Sequence, residues 1–227
     1  NALGYIDEVY NDVPCLGCSL TAGTGVAVTL GATASGKDFA LSPGAEITGT
    51  VTDAGTGQPI SGVSVRLLTP SGSNPLTATT GSSGAYSFRN LPSGTYYVGT
   101  SNTLGYINEF YNDVQCVTCG STGGSAIAVS APGVTSGINF ALTPGGRISG
   151  TITDASTGQP ISGVTVNFLS SSGTFLRTPG NFGAGTTTNS LGQYVAPLGL
   201  PAGNYYVRTS NALGYIDEVY NDVPCLG

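Results

Sequence analysis

Apolar and polar residues alternate in short segments along the whole chain. In GVSVRLL (62–68), the side chains of Val63, Val65 and Leu67 fall on one side of an extended strand, and AYSFRNL (85–91) alternates in the same way. Successive side chains of a β-strand point to opposite faces, so this period of two predicts strands with one buried face. No long stretch has the period of about 3.6 residues of an amphipathic helix. The pattern predicts an all-β protein.

Turn residues interrupt these segments about every 8–12 residues, with Gly, Pro, Ser and Asn most frequent. In the best-defined stretch the predicted strands are 45–53, 62–68, 76–80, 85–91, 95–101, 106–113, 125–131 and 136–142. Short strands at this spacing are typical of a small antiparallel β-sandwich, in which two sheets bury alternate side chains between them.

The sequence also repeats itself. Residues 43–68 (PGAEITGTVTDAGTGQPISGVSVRLL) match residues 144–169 (PGGRISGTITDASTGQPISGVTVNFL) at an offset of 101. Residues 91–106 match residues 200–215 at an offset of 109, so the second copy has eight extra residues, which fall within 170–196. Self-similarity at a fixed spacing indicates tandem copies of one structural unit.

The repeats divide the chain into three predicted domains. Residues 1–42 are the C-terminal part of a β-sandwich repeat, 44–143 a complete repeat, and 145–227 the N-terminal part of a third. Residues 1–17 are identical to residues 211–227, which gives a period of 210 residues made of two unequal domains. We expect a window on a longer tandem array. The alternatives are an engineered duplication, or a subunit whose broken end domains complete each other across a junction.

Composition narrows the classes of function. Charged residues are 8% of the chain, the net charge is -6, and the five arginines and the single lysine are scattered. A nucleic-acid-binding protein needs a basic surface, so we expect no nucleic-acid partner. No apolar run approaches the roughly 20 residues of a membrane span. A chain rich in Thr, Ser, Gly and Tyr indicates an extracellular or cell-surface protein.

The sequence argues against an enzyme. It contains no histidine, which excludes the Ser-His-Asp and Cys-His pairs of nucleophilic catalysis. The adjacent carboxylates Asp7 and Glu8, which recur as Asp217 and Glu218, lie on a predicted strand. Neighbouring side chains on a strand point to opposite faces, so such a pair is poorly placed for acid–base work.

Five cysteines form two CxxC loops and part of a third: Cys15, Cys18, Cys116, Cys119 and Cys225. Three arrangements fit them. A disulfide can close each CxxC loop, because a tight turn brings the two Cα atoms to roughly 4.4–6.8 Å. A disulfide can instead join neighbouring domains or chains, or two loops can together bind zinc or iron. A redox CxxC motif is disfavoured, because no helix is predicted to follow it.

We expect no bound cofactor, although oxygen ligands for calcium also occur in the sequence. YNDV occurs three times and TDA twice, and Asn112, Asp113 and Asp53 supply oxygens of the kind that binds Ca²⁺. The alternative, which we expect, is that these side chains cap turns. An internal Lys–Asn isopeptide bond in every repeat is excluded, because Lys37 is the only lysine and Ile138 replaces it in the next copy.

Three motifs in order carry a resemblance to a known family: GxVTDxxTGQPIxGVxVxL, GxYxFxxLPxGTYYV and GYxxExYND. Together they resemble the carboxypeptidase regulatory-like domain over essentially the whole chain. The resemblance implies tandem Ig-like/transthyretin-like antiparallel β-sandwich domains. In metallocarboxypeptidases this module is non-catalytic, and in microbial surface proteins it is repeated in spacers, stalks and adhesins. The cysteine loops are not part of the usual family pattern.

The expected function is structural: an extracellular filament or stalk of β-sandwich beads assembled head to tail, with the protein itself as partner. Short linkers with Pro43, Gly44, Pro144 and Gly145 form the predicted junctions and limit bending. The alternative is an adhesin, or a module that binds a cell-surface or matrix glycan or protein. A third hypothesis is an accessory domain of a secreted hydrolase. The position of residues 170–196 distinguishes the filament from the binding module. A loop that projects into solvent favours ligand binding, and a loop buried between neighbouring domains favours assembly.

Overall fold

A computed structural model describes residues 4–73, 76–120, 122–180 and 182–225. The outermost residues of the predicted 1–42 and 145–227 domains, and Asn181 within the predicted insertion, lie outside this described part. The described residues form strands, turns and loops without a helix, which confirms the all-β prediction. None of them therefore belongs to an apolar helix long enough to cross a membrane.

Residues 4–43, here called the leading segment, contain one small hairpin. Its strands β1 (Glu8–Val9) and β2 (Val13–Pro14) pair antiparallel. Beyond this hairpin the leading segment has no assigned strand up to Pro43 in the described structure. Several of its apolar side chains, among them Leu20, Val28 and Leu30, are exposed to solvent.

Residues 45–142, here called the full unit, form a complete sandwich. Its strands are β3 (Ala45–Asp53), β4 (Ser64–Leu68), β5 (Leu76–Thr79), β6 (Ala85–Leu91), β7 (Gly94–Ser101), β8 (Glu109–Phe110), β9 (Val114–Gln115), β10 (Ile127–Val129), β11 (Val134–Thr135) and β12 (Phe140–Leu142). One sheet has the order β5-β4-β7-β8-β9, with β10 also on β7, and in the other sheet β6, β11 and β12 all pair with β3. The alternating side chains of these strands form one buried core between the sheets.

Two strand pairs of the full unit are parallel. Residues of β12 lie beside β3 in the same direction, with Phe140 opposite Val51 and Leu142 opposite Asp53, and β11 also runs parallel to β3. The sequence predicts an antiparallel sandwich, and most pairs are antiparallel. The exception arises because the chain crosses from β10 in one sheet to β11 in the other, so no hairpin imposes the antiparallel direction.

The predicted strand 106–113 is shorter in the structure. Within it only Glu109–Phe110 is a strand, and it forms a hairpin around a tight turn with Val114–Gln115, which lies just after the predicted end. Asn112 and Asp113 take left-handed backbone angles there, with φ of 74° and 59°. Asn and Asp adopt this conformation more readily than most residues, so YND is a turn rather than a continuation of the strand.

Residues 145–225, here called the open unit, repeat the order of β3 to β9, with one additional hairpin, β15–β16, between the counterparts of β4 and β5. The strands are β13 (Ser149–Thr151), β14 (Thr165–Ser170), β15 (Arg177–Thr178), β16 (Phe182–Gly183), β17 (Thr186–Thr187), β18 (Gln193–Val195), β19 (Tyr205–Ser210), β20 (Glu218–Val219) and β21 (Val223–Pro224). β13 pairs with β18, β15 pairs with β16, and the largest sheet has the order β17-β14-β19-β20-β21. A second buried core, centred on Val166, Phe168 and Leu176, lies in this unit.

Candidate functional site at the junction between repeats

The cysteine loops follow the YND hairpins and are closed by disulfides. Cys116 and Cys119 are bonded with Cα atoms 5.2 Å apart, and Cys15 and Cys18 with Cα atoms 4.9 Å apart. Of the three arrangements that the sequence allows, the structure therefore has the bond within each loop. In the described part of the chain Cys225 has no disulfide partner.

Each cysteine loop places an apolar side chain on the core of the unit that follows it. Val117, between Cys116 and Cys119, packs against the core of the open unit. Leu16 occupies the same place in the first loop and packs against the core of the full unit. The same contact therefore forms at both junctions of the chain.

Backbone contacts fix the second cysteine loop to the open unit. The backbone N–H of Arg177 donates a hydrogen bond to the carbonyl oxygen of Val117 at 2.7 Å. The carbonyl oxygen of the same arginine lies 3.7 Å from Sγ of Cys116, a contact between the disulfide and the backbone of the open unit. Cys116 is fully buried beside Leu68 and Phe110, in an apolar cluster on the outer face of the full unit. The loop is thus held from both sides of the junction.

The insertion of the open unit contains the β15–β16 hairpin, here called the insertion hairpin, and it lies against the full unit. A Cβ atom placed on Gly99 of β7 would lie 2.6 Å from Cβ of Pro179 in the turn of this hairpin. The approach is closer than any residue other than glycine allows. The turn of the insertion hairpin, within the predicted insertion 170–196, therefore lies against the full unit instead of projecting into solvent. Arg208 replaces this glycine in the open unit.

The predicted junction residues pair with the segment that precedes the YND hairpin. Tyr106 forms a bridge with Pro144, and the backbone N–H of Gly145 donates to the carbonyl oxygen of Gly105 at 2.8 Å. A Cβ atom on Gly145 would lie 2.5 Å from the backbone nitrogen of Leu200, so only glycine fits. Pro43 and Gly44 make the matching contacts with Tyr5 and Gly4.

Side-chain hydrogen bonds also connect the two units at the second junction. Arg147 of the open unit donates from Nη2 to the carbonyl oxygen of Thr103 at 2.7 Å. The loop that carries this carbonyl is shaped by Asn102, whose Oδ1 accepts from the backbone N–H groups of Leu104 and Tyr106. The buried Oδ1 of Asn108 in turn accepts from both nitrogens of Asn102. Our interpretation of the sequence missed this network, although Asn at 102 and 211 recurs six residues before Asn108 and Asp217.

The candidate calcium ligands occupy two different turns. Asp53 caps the turn after β3, where Oδ1 accepts from the backbone N–H groups of Gly55 and Thr56 and Oδ2 accepts from Tyr106 Oη at 2.8 Å. The hydrogen bond from the Thr56 backbone is the first cause of the lowered pKa of Asp53, followed by that from Tyr106. Asn112 and Asp113 lie in the YND turn. Within the described ranges no three His, Cys, Asp or Glu side chains group together as a metal site, and calcium stays a prediction.

Glu109 is the buried carboxylate of the second hairpin. Its side chain is 5% exposed, and burial, followed by the nearby negative charge of Asp113, raises its pKa from 4.5 to about 7. The backbone N–H of Glu109 donates to Thr100 Oγ1 at 3.0 Å.

Several solved structures are similar to the chain at low identity. The Bacillus anthracis TIE protein is 16% identical with a TM-score of 0.36, and the match covers 74% of this chain and 29% of that one. The streptococcal ancillary pilin is 16% identical with a TM-score of 0.36, covering 80% of this chain and 57% of that one. The shaft pilin SpaA from Lactobacillus rhamnosus GG is 13% identical with a TM-score of 0.33, covering 81% and 94%. The chain thus spans less than two thirds of the first two proteins.

No curated protein matches the sequence. The sequence profile of the carboxypeptidase regulatory-like domain matches residues 46–143 and 147–225, which together make up more than half of the chain. The two matches coincide with the full unit and the open unit, and the described fold is the β-sandwich that the resemblance implies. The chain therefore belongs to the carboxypeptidase regulatory-like domain family.

Proposed function

We propose that this protein is a non-enzymatic structural component of an extracellular filament or stalk, built from β-sandwich repeats joined head to tail. The observation that carries the proposal is the repeated junction, in which Leu16 and Val117 each reach from one cysteine loop onto the core of the following unit. A binding module connected by flexible linkers does not require the same packing contact at successive junctions.

The second junction combines several independent contacts, which supports a stiff connection. The linker pairs with the segment before the YND hairpin, the disulfide-closed loop packs on the open unit, and the insertion hairpin lies against β7. Three contacts at separate points oppose both bending and rotation. Closed disulfide loops also suit an oxidising environment outside the cell.

The stiffness of this junction can be tested directly. A flexible Gly-Ser segment of about ten residues inserted after Pro144 separates the linker pairing from the open unit. We expect small-angle X-ray scattering of the full chain to show a broader distribution of maximum dimension, because the two units then move independently. Where filaments form, electron microscopy should show a shorter persistence length.

The matched control places the same segment after Ser71, in an exposed turn between β4 and β5. This insertion adds the same mass and flexibility away from the junction, so the scattering of the two units should match the parent chain. Unchanged stiffness after the Pro144 insertion would count against the proposed function.

A further inference from the structure

A polar groove lies on the outer face of the full unit, on the side of β3 and β6 that faces away from the core. These two strands form its floor, β5 forms one wall, and the segment between β11 and β12 forms the other. The cavity, here called the full-unit groove, has a volume of about 780 Å³. An ion pair between Glu46 and Arg89 closes one end of the floor. The other polar residues of the lining are Thr48, Thr50, Thr79, Ser87 and Asn139.

The full-unit groove offers hydrogen-bonding groups without a net charge. Glu46 Oε1 accepts from Arg89 Nε at 2.9 Å, so the two charges in the lining neutralise each other. Thr48 and Ser87 lie opposite each other on the floor, and among the described residues neither hydroxyl forms a hydrogen bond within the protein. A hydroxyl can both donate and accept. The floor therefore provides donors and acceptors for a ligand that is itself uncharged.

Asn139 is held in the wall by its oxygen. Its Oδ1 accepts from the backbone N–H of Thr50 at 3.0 Å and from Thr50 Oγ1 at 3.1 Å. The amide nitrogen of Asn139 carries two further donors, which remain for a ligand. Because these bonds fix the side chain before a ligand arrives, less conformational freedom is lost on binding.

The open unit has a groove of the same kind at the equivalent place, here called the open-unit groove. β13 and β18 form its floor, β17 forms a wall, and its volume is about 560 Å³. Ser149 and Thr151 take the places of Thr48 and Thr50, and Gln193 lies opposite Thr151. The side chains that line this groove are all uncharged. The individual residues differ between the two units, whereas the polar and uncharged character of the groove recurs.

A neutral saccharide matches this lining in both charge and hydrogen bonding. An anionic ligand, such as a nucleic acid or an acidic glycan, needs a basic surface, and the only cation of the two linings is already paired with Glu46. An apolar partner surface would leave the hydroxyls of Thr48 and Ser87 buried without hydrogen bonds, which is unfavourable. A ligand rich in hydroxyl groups satisfies the lining, because each of its hydroxyls both donates and accepts.

We propose that the full-unit groove and the open-unit groove are binding sites for an uncharged polysaccharide. Sugar hydroxyls exchange hydrogen bonds with Thr48, Ser87 and Asn139 in the first groove. Two weak sites on one chain bind a long polymer more tightly than either site alone when both engage it. The protein then holds a glycan in addition to its structural role, and this binding does not require that filaments form.

The test measures binding of the full chain to immobilised polysaccharides by biolayer interferometry. The probes are three neutral polymers, dextran, mannan and xyloglucan, and one acidic polymer, alginate. We expect at least one neutral polymer to bind the chain and alginate to bind weakly or not at all. Binding to the neutral polymer should be equal at low and high salt, because salt screens only interactions between charges.

Variants locate the binding in the grooves. Thr48→Val/Ser87→Ala removes two hydroxyls from the floor with little change of shape, and should weaken binding by about tenfold. Adding Ser149→Ala/Thr151→Val should abolish the remaining binding. The matched control Ser71→Ala/Ser73→Ala removes two exposed hydroxyls from the turn between β4 and β5, and should bind like the parent. Circular dichroism checks that each variant keeps its β-sheet content.

Three results would overturn the proposal. The first is a parent chain that binds none of the three neutral polymers, and the second is a variant with all four groove substitutions that binds like the parent. The third is an equal loss of binding in the Ser71→Ala/Ser73→Ala control, because the hydroxyls would then act without regard to the groove. Binding to alginate alone, lost at high salt, would count with the first result, since it would show attraction between charges.

Discussion

Glu109 is buried, whereas the equivalent glutamates in the other two copies of the hairpin are more exposed to solvent. Glu8 is partly buried and Glu218 is exposed, although all three belong to the GYxxExYND motif. The same motif is therefore buried to different extents in its three copies, and the local sequence does not predict which copy is buried.

Replacing Glu109 by Gln should change the pH dependence of stability. The folded state holds the Glu109 proton up to about pH 7, whereas the unfolded state releases it near pH 4.5, so stability falls as the pH rises between these values. At about pH 8, Glu109→Gln should raise the free energy of unfolding of this unit by up to about 3 kcal/mol. Chemical denaturation at about pH 5 and pH 8 measures the change. Glu218→Gln changes the exposed copy of the residue, is the control, and should have little effect. If the unfolding free energy of Glu109→Gln changed with pH as much as that of the parent chain, the burial argument would be contradicted.

The strands that alternate most regularly are the ones that the sequence predicts best. Ala45–Asp53 and Ala85–Leu91 have the predicted bounds, and buried residues alternate with more exposed ones along most of each strand. The shorter strand within 106–113 was not predictable from alternation, since Asn112 and Asp113 change the backbone conformation while the polarity pattern continues. The parallel direction of β12 was not predictable either, because side chains alternate in the same way in parallel and antiparallel strands.

For the cysteine loops, the disulfides could be predicted from the local sequence, but the contacts with the next unit could not. The CxxC spacing was sufficient to predict a disulfide within each loop as one of three arrangements, since the two cysteines are three residues apart. That Val117 reaches the core of the open unit depends on contacts between residues far apart in sequence. The sequence feature that indicates this contact is an apolar residue, Leu16 or Val117, within a cysteine loop that is not part of the usual family pattern.

Removing one disulfide should weaken a junction more than it weakens a sandwich. Closing a loop of four residues contributes about 2 kcal/mol on the chain-entropy argument, a small amount relative to the buried core. We expect Cys116→Ala/Cys119→Ala to leave the β-sheet circular dichroism of the chain unchanged and to increase proteolysis between the units. Cys15→Ala/Cys18→Ala, the control, should leave the second junction intact. Equal cleavage there in both variants would argue against a role of the loop in joining units.

At the scale of the whole molecule, the two units should unfold as one. Units that share an interface unfold together when the interface is large relative to their own stability. Gly99→Ala should separate the two unfolding transitions in calorimetry, because its Cβ atom would lie 2.6 Å from Cβ of Pro179 and displace the insertion hairpin, whereas its contact with Phe110 of the full unit, at 3.0 Å, is less close. Gly94→Ala on the same strand is the control, since its Cβ atom would lie 3.7 Å from the nearest atom, an ordinary contact. A single unchanged transition for Gly99→Ala would mean that the insertion hairpin does not couple the units.

The parallel pairing of β12 with β3 determines how the full unit carries load. The chain enters at the start of β3 and leaves at the end of β12, and the two strands run in the same direction, so these points lie at opposite poles. Tension between the poles pulls the neighbouring strands past each other, across the hydrogen bonds that join them. The backbone bonds from Ile138 to Thr48 and from Ala54 to Leu142 then bear the force together instead of opening one by one. The full unit is thereby most resistant to force applied between the points where the chain enters and leaves it.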